Sequence, residues 1–202
     1  MTTYGQNDMV LDNWGVVSNW TATAAVTSRG PSGIGVVNFG DIDRLDVQAP
    51  IQTYGVGARG VNVYDGSLRH ASFDRIATHG DGSVGVQVSR PLPTLEIAGD
   101  LSTDGGEGQS LVKGVQMALK AIALSVKSGG DIGSLTVGGS VRTAGDDVVT
   151  VEIEGDVATI AVAGGIVAEG ENADAVHIRG EAPDLGHIRI SARHGEAIVR
   201  RD

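Results

Sequence analysis

The sequence predicts an all-β protein, a single-stranded right-handed parallel β-helix of about eight coils. The first observation is a pentapeptide of the type IATHG that recurs at 25-residue intervals along most of the chain. The second is a set of Val, Ile and Leu positions that share this period. The third is composition: 31 of 202 residues are glycine and only 3% are aromatic, which favours short strands and tight turns over a core filled by large rings.

Glycine is the most regular feature of the repeat. The repeats start at residues 1, 26, 51, 76, 101, 141, 166 and 191, and each has glycine at its fifth position. These glycines are Gly5, Gly30, Gly55, Gly80, Gly105, Gly145, Gly170 and Gly195. We expect each of them to turn a corner of its coil with a positive φ, which glycine adopts without steric cost. An antiparallel sandwich also has many short strands, but it would not keep one period across the whole chain.

Apolar residues recur in register with the glycines. Ten residues after the repeat starts lie Leu11, Val36, Val61, Val86, Val151 and Val176, with Val126 added if 106–120 is an insertion. A second apolar column contains Trp20, Leu45, Leu95, Leu135, Ile160 and Leu185, and His70 interrupts it. A hydroxyl column contains Thr3, Ser28, Thr53, Thr78, Thr103 and Thr143. We expect all three columns to point inward, with the hydroxyls bonded to turn backbone. The whole chain, 1–202, is thus predicted to be one domain.

The segment 106–120 interrupts the period by 15 residues and has a different rhythm. Leu111, Val115, Ala118, Leu119 and Ile122 recur at spacings of three and four. This spacing predicts an amphipathic helix that begins near Ser110. We expect the helix either to cover apolar surface of the rod or to bind a partner.

Charge and composition exclude several classes of function. The chain has 15 basic and 25 acidic side chains, a net charge of −10, so nonspecific binding to nucleic acid or anionic lipid is not expected. It has no cysteine, and its five histidines do not cluster at ligand spacing, so we expect neither a metal site nor a cofactor. The first residues lack an export signal, which predicts a cytoplasmic protein, or an extracellular one if the segment comes from a longer exported chain.

Candidate site residues stand just before the repeated glycines. Arg29, Tyr54, His79 and Asp104 should lie on consecutive coils and point outward, within reach of one another or of a ligand. A phenol, an imidazole and a carboxylate in a row are suited to acid–base chemistry, which would make Tyr54, His79 and Asp104 catalytic. A solvated polar stripe is the alternative interpretation. A second outward set, Lys127, Glu152, His177, Glu154 and Arg179, is expected to form ion pairs between coils.

The repeat unit, I-x-T-x-G followed by G-V-x-V, is seen in IATHGDGSVGVQV and IQTYGVGARGVNV. It resembles the passenger β-helices of bacterial autotransporters and related adhesins, and the resemblance covers nearly the whole chain. It implies a β-helical rod that acts in binding or as a scaffold, and it carries over no catalytic residue.

Three functions are consistent with the sequence. The first is a non-catalytic scaffold or adhesin-like interaction module that self-associates through its coil ends or through 106–120. The second is a carbohydrate-active enzyme, of the polysaccharide lyase or glycoside hydrolase type, or a glycan-binding protein that uses an outward face. The third is an acidic rod that mimics nucleic acid. A glycan or a protein is therefore the expected ligand.

Overall fold

The computed structural model describes residues 1–112 and 114–201. Within these residues the chain is a parallel β-solenoid of about eight turns, with 24 strands and no helix. Each complete coil supplies one strand to each of three sheets, and successive coils pair in parallel. No helix in this part of the chain is long and apolar enough to cross a membrane.

The three sheets run the length of the solenoid. The first sheet contains β1 (Thr2–Thr3), β4 (Val26–Ser28), β7 (Ile51–Thr53), β10 (Ile76–Thr78), β13 (Leu101–Thr103), β18 (Ser140–Thr143), β21 (Gly165–Glu171) and β23 (Ile190–His194). The second contains β2 (Met9–Asn13), β5 (Ile34–Asn38), β8 (Arg59–Val63), β11 (Val84–Val88), β16 (Leu124–Val126), β19 (Val149–Ile153), β22 (Asp174–Arg179) and β24 (Ile198–Arg201). The third contains β3 (Val16–Ala22), β6 (Asp41–Val47), β9 (Ser67–Phe73), β12 (Pro91–Ile97), β17 (Asp131–Val137) and β20 (Asp156–Val162).

The interior column of valines confirms the stacking of the coils. Val61 pairs with Val86, Val86 with Leu124, and Leu124 with Val151, and all four are at most 1% exposed. The placement of Val126 in this column was wrong by two residues, because Val126 pairs with Val88. The 15 additional residues of the fifth coil are therefore inserted at two places. About 13 of them precede Leu124, and the turn between β16 and β17 is two residues longer than the corresponding turn between β11 and β12.

The second apolar column is continuous, so the predicted break at His70 is wrong. Leu45 and Leu95 both pair with Ala71, which is fully buried, while His70 points outward between Arg44 and Thr94. The third coil gains one residue at the turn where Gly66 has a φ of +63°, and it loses one residue before Ile76. The repeat is thus shifted by one position only within this strand.

The repeated glycines are required for close approach between coils and not for positive φ, which corrects the predicted corner conformation. A Cβ built on Gly80 would overlap with the carbonyl oxygen of Gly55, and one on Gly105 with that of Gly80. Neither residue has a positive φ. The left-handed position lies two residues later in the repeat. This corner column contains Asn7, Ser32, Gly57, Gly82, Asp147 and Asn172, with φ between +51° and +67°.

The hydroxyl column points inward as predicted, but its predicted bonding is wrong. Thr53, Thr78 and Thr103 are fully buried, and their hydroxyl oxygens have no hydrogen-bond partner in the part of the chain that the structure describes. Thr143 does have one, since its hydroxyl lies 2.7 Å from that of Thr150. Hydroxyl hydrogen bonds therefore contribute little to the stability of this column.

The eighth coil departs from the period. Its first strand begins at Ile190, which pairs with Ile166, one residue earlier than the repeat predicts. Gly195 consequently lies against the Ala173 carbonyl and not against Gly170. Leu185 is partly buried against the core, but it belongs to no strand.

The segment 106–120 forms a β-hairpin, so the predicted helix is wrong. Strands β14 (Glu107–Val112) and β15 (Val115–Lys120) pair antiparallel, with Val112 opposite Val115 and Glu107 opposite Lys120. Gly114 has a φ of +80°, a conformation that glycine supplies in tight hairpin turns. Residues two and four apart on a strand lie on the same face, so Val115 and Leu119 share one face of β15. Their spacing of four also fits one face of a helix, which is why the sequence suggested a helix.

The Asp100 carboxylate is hydrogen-bonded to Ser140, across the two coils that flank the hairpin. The stability of the fold should therefore depend on pH. Asp100 accepts hydrogen bonds from the Ser140 backbone N–H at 2.7 Å and from the Ser140 hydroxyl at 2.9 Å. These bonds, the backbone bond first, lower the pKa of Asp100. A lowered pKa in the folded state stabilises the fold above the unfolded value of about 3.9 and loses that contribution as pH falls through the folded pKa.

We therefore expect the free energy of unfolding of Asp100→Asn to depend less steeply on pH than that of the wild type below pH of about 4. Urea unfolding followed by circular dichroism between neutral and acid pH measures the slope. Ser140→Ala is the matched control, since it removes the hydroxyl donor and keeps the N–H donor, and it should give an intermediate slope. If the free energy of unfolding of the wild type and of Asp100→Asn had the same pH dependence below pH of about 4, the stabilising role of the Asp100 carboxylate would be contradicted.

Candidate functional site

The four predicted site residues lie next to one another along the outside of the first sheet. The Arg29 guanidinium carbon is 4.7 Å from the centre of the Tyr54 ring. The Tyr54 and His79 rings are stacked with centres 4.8 Å apart, and His79 Nδ1 lies 2.7 Å from Asp104 Oδ2. The predicted alignment on consecutive coils is therefore confirmed. Its role in binding or catalysis stays a prediction.

The row continues through two residues of the later coils. Arg142 pairs with Asp104 Oδ1 at 3.2 Å and with Glu169 Oε2 at 2.7 Å. Glu169 precedes a repeated glycine, but Arg142 stands two residues before the equivalent position, which is Ala144. Sequence reasoning missed Arg142 because it followed one column, although residues two apart on a strand share a face. We call the set Arg29, Tyr54, His79, Asp104, Arg142 and Glu169 the polar ladder.

His79 Nδ1 and both carboxylate oxygens of Asp104 are bound by other members of the polar ladder. The stacking of Arg29 and His79 on Tyr54 covers ring surface that a sugar would need for stacking. His79 Nδ1 is bonded to Asp104, and His79 Nε2 is buried without a hydrogen-bond partner among the described residues. Asp104 uses one oxygen for His79 and the other for Arg142. A general acid or base must reach the proton of its substrate, so the buried Nε2 of His79 would have to become accessible before catalysis.

A second row of charges lies on the outside of the second sheet. The Lys127 ammonium is 2.6 Å from Glu152 and 3.5 Å from Glu154, and Arg179 is 3.4 Å from Glu154. These contacts confirm the predicted ion pairs between coils. Burial acts to raise the pKa of Glu152, but hydrogen bonds from Lys127 and Ser125, with the Lys127 charge, outweigh it and lower that pKa. His177 is bonded instead to Asp174 of its own strand, at 2.7 Å.

The hairpin lies across the corner column. The Ser110 hydroxyl donates to the Gly57 carbonyl at 2.9 Å, and the Leu111 N–H donates to the Ser32 hydroxyl at 2.9 Å. At the base of the hairpin, the Lys120 ammonium donates to the Asp147 carbonyl. The insertion in the fifth coil therefore reaches back toward the second and third coils.

The residue types in the corner column explain why the hairpin docks where it does. A Cβ on Gly57 would lie 2.5 Å from Ser110 Cβ, and a Cβ on Gly82 would lie 2.6 Å from the Gly108 carbonyl oxygen. Asn7 and Asn172 adopt the same left-handed conformation with a side chain. Glycine at 57 and 82 is thus needed for hairpin contact as well as for the turn.

Gly57→Asn should separate these two requirements, since asparagine tolerates the left-handed turn but meets the hairpin. We expect hydrogen exchange of the Leu111 amide to accelerate by about ten-fold or more, while the solenoid loses less than about 1 kcal/mol of stability. Gly180→Asn is the matched control, since Gly180 has a φ of +89° and no heavy atom within 4 Å of a built Cβ. Unchanged exchange at Leu111 in Gly57→Asn would show that the hairpin does not rest on this corner.

Among residues 1–112 and 114–201, no group of three or more His, Asp or Glu side chains is arranged to hold a metal ion. The carboxylates of the polar ladder are instead held by arginine and histidine. No cofactor can be assigned to this surface from its geometry.

Comparison of the chain with protein-family models, with curated proteins and with solved structures finds no match. The assignment of the chain to the parallel β-solenoids therefore rests on the strand register described above.

Proposed function

We propose that the protein is a non-catalytic β-solenoid interaction module that self-associates through β15, the outer strand of its hairpin. The observation that carries the proposal is the exposure of this strand: Val115 is 60% exposed and Met117 is 47% exposed. Single exposed apolar residues are common on protein surfaces, but here two lie on one strand. The scaffolding role implied by the resemblance to autotransporter passengers agrees with this proposal.

The pairing of the hairpin strands also indicates that β15 is the surface for self-association. The described strands β14 and β15 form a two-stranded sheet, so β15 has one edge without a strand partner. Such an edge presents N–H and C=O groups that can pair with another chain. Two copies joined through β15 would make a four-stranded sheet around a two-fold axis, which is a closed dimer.

Light scattering coupled to size-exclusion chromatography tests the proposal across a concentration series. We expect a concentration-dependent dimer in the wild type and a monomer in Met117→Lys, because an edge lysine opposes strand pairing. Val16→Lys is the matched control, since Val16 is 84% exposed and lies on β3 of the first coil. A dimer lost in Val16→Lys and kept in Met117→Lys would move the interface to the coil end, and a monomer at every concentration would refute self-association.

The other candidate function is that of a carbohydrate-active enzyme, with the polar ladder as its active site. The burial of His79 Nε2 favours the non-catalytic interpretation, because a general base must reach the proton of its substrate. A screen against anionic and neutral polysaccharides is expected to give no turnover. Turnover that disappears in both His79→Ala and Asp104→Ala would replace the scaffold with an enzyme.

A further inference from the structure

A cavity of about 310 Å³ lies on the outside of the second sheet, beside the hairpin. Leu111 of the hairpin, Ile34 of β5 and the rings of Phe39 and Tyr64 contribute to its apolar lining. Arg59 and Asn62, both on β8, also line it. The volume is at the lower end of the range for small-molecule sites, about 300–1,000 Å³.

Arg59 is the unexpected residue in this lining. It occupies a position at which the strands on either side have Ile34 and Val84. It is only 6% exposed, and among the described residues none accepts a hydrogen bond from its Nε and no carboxylate forms an ion pair with it. Burial lowers the pKa of Arg59, and Tyr64 acts in the opposite direction. A buried charge without a counter-ion destabilises a fold, so a cationic side chain in an apolar column calls for an anion.

Asn62 supplies a second unsatisfied group. It is 5% exposed, and its Oδ1 accepts no hydrogen bond from residues 1–112 or 114–201. Oδ1 is an acceptor only, so the group that would satisfy it is a hydroxyl or an N–H. The cavity thus combines a cation, an acceptor and apolar walls that include two aromatic rings.

We propose that this cavity binds a small aromatic carboxylate, with the carboxylate on the Arg59 guanidinium and a hydroxyl or N–H of the ligand on Asn62 Oδ1. A planar guanidinium matches a carboxylate with two parallel hydrogen bonds. The apolar walls bind the aromatic body and disfavour a strongly hydrated inorganic anion. This site is separate from the polar ladder and from the exposed surface of β15, so it does not depend on the proposed self-association.

Isothermal titration calorimetry of the full chain tests the site, with 4-hydroxyphenylacetate as the probe. We expect saturable binding of this acid, and binding of the neutral 4-hydroxyphenylacetamide weakened by about ten-fold or more, since charge-assisted hydrogen bonds are lost. This comparison needs no substitution in the protein. Inorganic phosphate should bind at least about ten-fold more weakly than the aromatic acid, because its hydration is not replaced by apolar walls.

Two variants assign the binding to the proposed residues. Arg59→Met, which keeps the length of the side chain, should weaken binding of 4-hydroxyphenylacetate by about ten-fold or more, and the exposed Arg69→Met should leave it unchanged. Asn62→Asp should abolish binding and raise the melting temperature, because the new carboxylate becomes the counter-ion of Arg59. Asn62→Asp gives a result even if Arg59→Met fails to fold.

Several results would overturn the proposal. The absence of binding at millimolar probe concentration would refute the site, and equal affinity for the amide would refute the role of the Arg59 charge. Phosphate bound as tightly as the aromatic acid would refute the ligand class. Binding that survives both Arg59→Met and Asn62→Asp would place the ligand elsewhere.

Discussion

Gly80→Ala is expected to lower the free energy of unfolding by about 3 kcal/mol or more, near the upper end of overpacking effects. The added Cβ would meet the backbone carbonyl of Gly55, one coil away. A flexible side chain could move aside, but this carbonyl belongs to a stack of coils with a fixed spacing of about 4.8 Å. The coils can accommodate a methyl group only by separating, which would weaken the parallel pairing on both sides of the corner.

Gly15→Ala is the matched control for this substitution. Gly15 also lies in a turn, has no positive φ, and has nothing within 4 Å of a built Cβ. Its stability should change by less than about 1 kcal/mol, in either direction. Urea unfolding of both variants gives the comparison, and similar stabilities for Gly80→Ala and Gly15→Ala would contradict the close approach of the coils.

The second large effect is expected in the core of the third coil, where a small and a large residue compensate for one another. Other coils place Leu45 with Val47, or Leu135 with Val137, at the two inward positions of the third sheet. The third coil has Ala71 with Phe73 at these positions, and both are at most 1% exposed. We therefore expect the ring of Phe73 to occupy the volume that Ala71 leaves free.

Phe73→Val should lower stability by about 2–4 kcal/mol, since the cavity beside Ala71 would open. Ala71→Leu alone should also destabilise, by about 1–3 kcal/mol, because the leucine and the ring compete for the same space. The double variant restores the Leu–Val pair of the other coils and should lie within about 1 kcal/mol of the wild type. Denaturant unfolding of all four proteins gives the coupling energy, and additive effects would show that the two side chains do not share this volume.

Most of the fold could be predicted from the sequence because each coil of a solenoid packs in the same way, so the same residue types recur at the same positions of every coil. The valine column, the inward hydroxyl column and the outward row from Arg29 to Asp104 all follow from a period of 25 residues. The reason for the repeated glycine could not be predicted in this way. A glycine that turns a corner and a glycine that lets a carbonyl approach look alike in sequence, and only the structure separates Gly80 from Gly82.

The structure of the insertion could not be predicted in this way, because the segment 106–120 is not repeated elsewhere in the chain. Its apolar residues fit both a helical spacing and two alternating strands, and Gly114 was the signal for a hairpin turn. The contact of the hairpin with Gly57 was also invisible to sequence analysis, because the two segments are 53 positions apart. The buried Arg59 was missed for a related reason, since an isolated arginine in an alternating strand normally indicates a solvated face.

The hairpin is looped out of the solenoid, and the coils on either side of it pair directly through β11 and β16. The chain has no cysteine, so a pair of introduced cysteines reports on that register without background. Gln87 and Ser125 are opposite one another in the parallel pairing of β11 with β16, whereas Lys127 lies two residues further along. A disulfide needs Cα atoms about 4.4–6.8 Å apart, so it should form between neighbours across the pairing and not two residues away.

Oxidation of Gln87→Cys/Ser125→Cys, followed by mass spectrometry of the linked peptides, is therefore the most direct test. The structure predicts rapid and complete crosslinking of this pair and little crosslinking of Gln87→Cys/Lys127→Cys. Preferential crosslinking of the pair with Lys127→Cys would contradict the register and, with it, the stacking of the coils around the hairpin.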